Sequence, residues 1–175
     1  MNPTTIIKNK WFWAWQDEKE EAWLSEMARG GLHLEDIPFP GRYIFQEGVP
    51  TNYIYRLDYQ SLKSKDKESY LQLFEDAGWE HVGNMGGWVY FRILSNNREA
   101  PEIYSDSESK MGKYQKIMIY LVILLPILLG ARPDIPDQLD SFSIILSTLF
   151  TVLLILYAFA MVQLLRRINQ LKGKG

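Results

Sequence analysis

Two apolar runs near the C-terminus, residues 117–131 and 142–165, constrain this 175-residue chain more than any other feature. The second lies within roughly 25 uncharged residues, enough to cross a ~30 Å hydrocarbon core with some tilt. The first is shorter, about 15 residues or about 22 Å of helix. Tyr114 and Gln115 extend it toward an interface, and Lys113 and Lys116 can carry their charges back to the headgroups along apolar stems. Pro126 falls inside it, which a membrane helix tolerates. Alone, the first run also fits a buried or interfacial helix. Beside an unambiguous span it reads as half of a transmembrane hairpin.

The charges around the hairpin predict its orientation. Lys110, Lys113 and Lys116 precede the first run, and Arg166, Arg167, Lys172 and Lys174 follow the second. The connection at 132–140 carries one Arg and three Asp. Basic flanks stay on the cytoplasmic side, so both termini are expected in the cytoplasm, in a multi-pass protein of the cell membrane. Residues 1–10 hold only Ile6-Ile7 as an apolar pair, too little for a secretory core, which agrees with a front domain that is not exported.

The net charge of −2 averages two unlike halves. Through Ser109 there are 11 Lys+Arg against 18 Asp+Glu, and from Lys110 onward 8 against 3. An acidic front lacks the basic field that nucleic-acid binding needs, and it opposes lying flat on an anionic leaflet. It favours basic partner surfaces. There is no cysteine, which excludes disulfides, thiolate nucleophiles and Cys-based zinc sites, and fits a reducing compartment.

In the front domain, Trp11-Phe12-Trp13-Ala14-Trp15 predicts a first strand, because aromatics favour strands and the run is too bulky for a helix. Asp17 and Glu20 have capping-box spacing and predict a helix start, with Ala22, Trp23, Leu24, Met27 and Ala28 on one face and Gly30-Gly31 as the stop. Strands are predicted from Leu32 to Ile37 and from Arg42 to Glu47. A third runs from Tyr53 to Tyr59, where Tyr53, Tyr55, Leu57 and Tyr59 alternate onto one face. A second helix follows Ser64, with Tyr70, Leu71, Phe74 and Ala77 inward and Gly78 as the stop. Trp79 to Val82 and Trp88 to Leu94 complete the strands, joined by a glycine-rich turn.

The order strand-helix-strand-strand occurs twice. Trp23-Leu24, Met27 and Gly31-Leu32 recur as Tyr70-Leu71, Phe74 and Gly78-Trp79 at a shift of about 47 residues, and Phe45 recurs as Phe91. The predicted fold class is therefore α+β: a duplicated strand-helix-strand-strand domain with a mostly antiparallel sheet and both helices on one face, followed by the two-helix hairpin. Val89, Phe91 and Ile93 then face the helices, and Trp88 and Tyr90 the open side. The expected organisation is an α+β domain at 1–94, a polar linker at 95–112, a first span at 113–131, an external loop at 132–140, a second span at 141–167 and a basic tail at 168–175.

Candidate chemistry is sparse. His33 and His81 follow helix-ending glycines without the spacing of a metal motif, and they read as exposed strand histidines. The glycine-rich stretch at 83–87 joins two strands and lacks a following helix and Lys-Ser/Thr, so it reads as a hairpin rather than a phosphate cradle. The carboxylates at 17–21 and Glu75-Asp76 lie near helix ends, where solvated charge is the expectation. The surplus is aromatic: Trp11, Trp13, Trp15, Tyr53, Tyr55, Trp88 and Tyr90 are either core or the wall of a pocket for an amphipathic or cationic compound.

Several of these blocks carry a resemblance. Trp11-Phe12, Glu21-Ala22-Trp23-Leu24, Met27-Ala28 with Gly30, Tyr43 with Phe45, Tyr55-Arg56 with Asp58, Phe74-Glu75 with Ala77-Gly78-Trp79, and Tyr90-Phe91-Arg92 resemble the bacterial domain-of-unknown-function family 2812. The resemblance covers roughly residues 10–94, with membrane spans as a common appendage. It implies membrane anchoring and a setting near PadR-type transcriptional regulators, hence a regulatory role, and transfers no catalytic residue. The duplicated units also look like the gyrase-inhibitor-like ligand-binding domain, which holds amphipathic molecules between its halves. That likeness is of architecture alone. The expectation is a non-enzymatic membrane-anchored sensor, with no catalytic residue, metal or cofactor, whose front domain binds an amphipathic ligand or a protein partner such as a transcriptional regulator or membrane protein. The alternative is an accessory subunit of a transporter or other membrane complex.

Overall fold

The computed structural model describes residues 4–60, 64–95, 107–130, 133 and 141–173. The chain divides into two compact units, Met1–Ile103 and Tyr104–Gly175.

The first unit is α+β and contains the duplication. Its elements are β1 (Thr5–Asn9), α1 (Asp17–Arg29), β2 (Leu32–Phe39), β3 (Arg42–Glu47), β4 (Tyr53–Tyr59), α2 (Ser64–Asp76), β5 (Glu80–Met85) and β6 (Trp88–Leu94). They form two antiparallel three-stranded sheets, ordered β1-β3-β2 and β4-β6-β5. The same strand order in both halves, each with its helix after the first strand, is the topology expected of a repeat. Gly31 and Gly78 end the two helices with φ of 85° and 87°, a left-handed conformation that glycine takes without a Cβ penalty. Trp23 meets Phe45 at 5.7 Å in the first half, and Tyr70 meets Phe91 at 6.1 Å in the second.

The first strand lies earlier than expected. Ile6 and Ile7 pair with Phe45 and Ile44, so the N-terminal segment is β1. Residues 11–15 form the loop between β1 and α1, because their rings stack on one another: Trp13 and Trp15 lie parallel at 5.4 Å. The start of α1 also differs. Gln16 is the N-cap, and its side chain accepts a hydrogen bond from Trp13 N rather than capping the helix, so Asp17 is already inside the first turn. The turn at Gly86-Gly87 is a strand hairpin, as expected, with both residues at positive φ.

Both helices were expected on one face of one sheet. Instead α2 packs on Val89, Phe91 and Ile93 of the second sheet, while α1 lies against both sheets. Trp23 packs on Tyr43 and Phe45 of the first sheet. Ser25 Oγ and Glu21 Oε1 accept hydrogen bonds from the backbone N–H groups of Tyr55 (3.2 Å) and Leu57 (2.9 Å) on the outer edge of β4. A helix thereby seals a sheet edge that would otherwise present unpaired donors. Trp88 and Tyr90, expected on an open face, are buried. β2 and β5 lie close without pairing, each carries a register shift against its own partner strand, and Leu34 of β2 turns its outward backbone groups to side chains. Its N–H bonds Tyr55 Oη and its carbonyl accepts from Arg92.

The second unit consists of α3 (Ser107–Gly130) and α4 (Ser141–Lys172). Lys110–Gly130 and Ser141–Lys172 are long and apolar enough to cross a membrane, and Ile123, Ile127, Ile145, Leu149 and Ile155 turn their side chains outward. α3 begins within the stretch read as linker, and α4 continues into the stretch read as tail. Apart from residue 133, the expected external loop lies outside the described residues, as do residues 96–106 of the expected linker. The helices are joined by a hydrogen bond from Tyr157 Oη to the Leu121 carbonyl (2.8 Å). Pro126 lies within the same continuous helix as Leu121, where it has no backbone N–H to donate to the carbonyl four residues back. Thr148 and Thr151 return their hydroxyls to the carbonyls of Ile144 and Ser147, the satisfaction that a hydrocarbon surrounding demands.

Candidate functional site

The first turn of α1 carries the most unusual side chains of the front domain. Asp17 and Glu20, three residues apart, sit on the helix face that meets both sheets and are 1% and 6% exposed. The expectation of solvated helix-end charge therefore fails for them. Glu20 Oε1 accepts hydrogen bonds from Tyr43 Oη on β3 and from Tyr90 Oη on β6, each at 2.8 Å. One carboxylate oxygen thus ties the first repeat to the second.

The electrostatics follow from that placement. Burial raises the pKa of Glu20. The two phenol hydrogen bonds oppose the rise, and the neighbouring Asp17 charge adds to it. Both phenols are pushed well above the ordinary tyrosine value, first by burial and then by the Glu20 charge, so they remain donors at any physiological pH. The helix N-terminus supplies a favourable field for both carboxylates.

Beside this pair opens a cleft of about 230 Å³ lined by Phe12, Trp13, Ala14, Asp17, Glu20, Pro40, Gly41, Tyr43, Met85, Gly86 and Trp88. Its composition, aromatic walls with a few convergent acidic groups, suits a compact apolar body bearing positive charge. No group of three or more His, Cys, Asp or Glu able to hold a metal ion occurs among the described residues.

The seven aromatics singled out from the sequence do not form one site. Trp13 and Trp88 line the cleft, and Tyr90 reaches it through Glu20. Trp11 and Trp15 flank Trp13 on the loop, one edge-on at 5.8 Å and the other stacked. Tyr55 is core, bonded to Leu34 N. Tyr53 belongs to a second, more polar cavity of about 410 Å³ with His33, Glu80, His81 and Arg92. Arg92 there stacks on Tyr53 at 4.8 Å and forms a forked pair with Glu80. The histidines are half-buried rather than exposed. His33 donates from Nε2 to the Val49 carbonyl and packs edge-on against Tyr53, and His81 lies against Phe91.

Asp17 and Glu20 are the residues that sequence reasoning missed. A signal was present in the repeat: at the 47-residue shift the second copy has Ser64 and Lys67 in their places. The two helices therefore differ in charge where their halves would otherwise correspond.

No curated protein and no solved structure matches the chain. A family model does, over residues 16–125, which takes in the cleft carboxylates, all of β2 to β6 and most of α3. With more than half of its length matched, this chain belongs to the DUF2812 family, described as a protein of unknown function.

Proposed function

We propose that the chain is a non-enzymatic, membrane-anchored sensor whose front domain binds an amphipathic cation in the Trp13–Trp88 cleft. The observation that carries this reading is the Glu20 carboxylate, buried beside an aromatic-walled opening and bonded to a tyrosine from each repeat. A cation seated there offsets the desolvation of Glu20 and draws on the negative charge that the two tyrosine hydrogen bonds hold. Occupancy therefore alters the bond between the halves, a change that a protein partner can read. In this reading α3 and α4 form a transmembrane hairpin, both termini are cytoplasmic, and the partner is a transcriptional regulator or membrane protein.

The test is a titration of the full chain in lipid nanodiscs with a benzyl-alkyl quaternary ammonium and with its neutral tert-butyl isostere, read by tryptophan fluorescence. Saturable binding with preference for the cation is expected. A cation over aromatic rings contributes about 0.5–2 kcal/mol, so the rings alone should favour the cation by about twofold to thirtyfold. The Glu20 charge adds to that preference, and Glu20→Gln should lower it to what the rings alone supply. Equal response to both compounds, unchanged by Glu20→Gln, defeats the reading. Orientation is tested by labelling Gln138→Cys and Ser64→Cys in intact cells, since the chain has no native cysteine. Only the first should react from outside, and labelling at position 64 reverses the proposed topology.

A further inference from the structure

We propose that the loop end of the front domain, built from residues 7–13 and 39–42, docks on the anionic headgroup layer of the bilayer. This rests on the reading that α3 and α4 anchor the chain in a membrane. Trp11, Trp13 and Phe39 are 57%, 41% and 65% exposed, an unusual expense of apolar surface for a water-facing loop. They lie together: Trp11 packs against Gly41 and meets Trp13 at 5.8 Å, and Phe39 is the register partner of Arg42 across the β2–β3 hairpin. Arg42 in turn pairs with Asn9 on β1.

The charge of this end opposes that of the domain around it. Residues 4–13 and 37–45 contain Lys8, Lys10 and Arg42 and no Asp or Glu, whereas the front of the chain is strongly acidic. Lys8, Lys10 and Arg42 are all exposed, and Lys10 extends over the rings of Phe12 and Trp23. Tryptophan and phenylalanine flanked by cations is the composition of a surface that settles at the headgroup level of an anionic leaflet. The expectation that acidity keeps the whole domain off such a leaflet holds for its average charge and fails for this end. A tether strengthens the effect, because a domain held near the bilayer needs only weak intrinsic affinity to remain on it.

The cleft shares Trp13, Pro40 and Gly41 with this end. A docked domain therefore opens its cleft onto the interface, where amphipathic cations concentrate, and ligand enters from the headgroup layer.

The test places a nitroxide on Phe39→Cys and, in a separate chain, on Leu73→Cys, an α2 position 67% exposed. Both full-length chains are reconstituted into vesicles of zwitterionic lipid with or without about one-third anionic lipid. Accessibility to oxygen, which partitions into lipid, is compared with accessibility to a water-soluble nickel complex. The label at position 39 should move into the lipid phase in anionic vesicles while that at 73 stays in water. Lys8→Glu with Lys10→Glu and Arg42→Glu should release it, since each cation near an anionic surface contributes about fivefold in affinity. A water-phase label at 39 in anionic vesicles overturns the proposal and assigns the patch to a protein partner. So do equal lipid exposure at 39 and 73 and insensitivity to the triple reversal. Flotation of the same samples separates the two readings: chains that fail to float with the vesicles remove the membrane anchor, and the docking with it.

Discussion

Replacing Tyr90 by phenylalanine should expose how much the two repeats depend on one carboxylate. The substitution removes a hydroxyl and little volume, and Tyr90 is fully buried. Its bond to Glu20 Oε1 is 2.8 Å long, and with Glu20 in its carboxylate form such a bond to a charged group contributes about 1.5–3 kcal/mol. Tyr43 still donates to the same oxygen, so the expected loss is about 2 kcal/mol. For a domain of this size that is a fall in Tm of roughly 8–16 °C. Tyr43→Phe should cost a similar amount. The double variant should lose more than the sum, because the second removal strips the donor that compensated for the first. The phenol bonds lower the pKa of Glu20 and so favour its ionised form. Their contribution is therefore present at high pH and is lost as pH falls through the folded-state pKa of Glu20. At low pH the penalty should shrink toward the ~0.5–1.5 kcal/mol of a neutral hydrogen bond. Denaturant unfolding of the full chain in detergent, followed by tryptophan fluorescence at several pH values, measures all of this. A Tyr90→Phe penalty below about 0.5 kcal/mol, or one that grows on acidification, would refute the reasoning.

Three other outcomes are expected. Glu20→Gln should change how stability depends on pH: the folded pKa of Glu20 is raised, so its stabilising contribution is complete below the unfolded-state pKa and disappears as pH rises through the folded one. The variant should consequently gain on the parent as pH increases through that window, as parallel melting curves would show. Glu21→Ala leaves the Leu57 N–H on the edge of β4 without its acceptor, for a loss of about 1–3 kcal/mol by denaturant titration, whereas Glu26→Ala at an exposed position of the same helix should be near neutral. Gly31→Ala demands φ near 85° and places a Cβ 2.7 Å from the Gly48 carbonyl, so it should destabilise by at least about 2 kcal/mol and lower the yield of folded protein.

The repeated order of elements was readable because each signal was local. Tyr53, Tyr55, Leu57 and Tyr59 alternate with period two, and the glycines at 31, 78 and 86–87 mark turns that only they adopt easily. The α+β class and the two apolar helices follow from the same kind of evidence. The first strand was obscured because Thr5 to Asn9 competes with a far more aromatic neighbour, and aromatic content is a poor guide where rings can satisfy one another in a loop. The buried carboxylates were hidden for a different reason. Glu20 meets partners 23 and 70 positions away, and nothing within a helical turn of it reports that. A sequence window sees an acidic helix start, and only the pairing of two sheets around α1 turns it into an interior. Likewise, the aromatic set is distributed among a loop, two cavities and the core, because ring type does not say which of these a tyrosine will enter.

The edge of β4 that α1 covers has a consequence for how the chain is made. Ser25 and Glu21 are synthesised well before the N–H groups they cap, and Glu20 precedes its second tyrosine by 70 residues. The N-terminal half must therefore emerge with its helix unsealed and hold it until β4 and β6 arrive. Synthesis runs from the N-terminus and domains fold as units, so completion comes at about Leu94, ahead of the first apolar helix at Lys110. In the membrane-anchored reading, the domain has all of its parts before the insertion machinery receives the first apolar helix. A slow step in the closing of β4 and β6 would leave an acidic, half-built helix exposed while the two apolar helices are being synthesised. The order of events in biogenesis is thus written into which strand edge a single helix was recruited to cover.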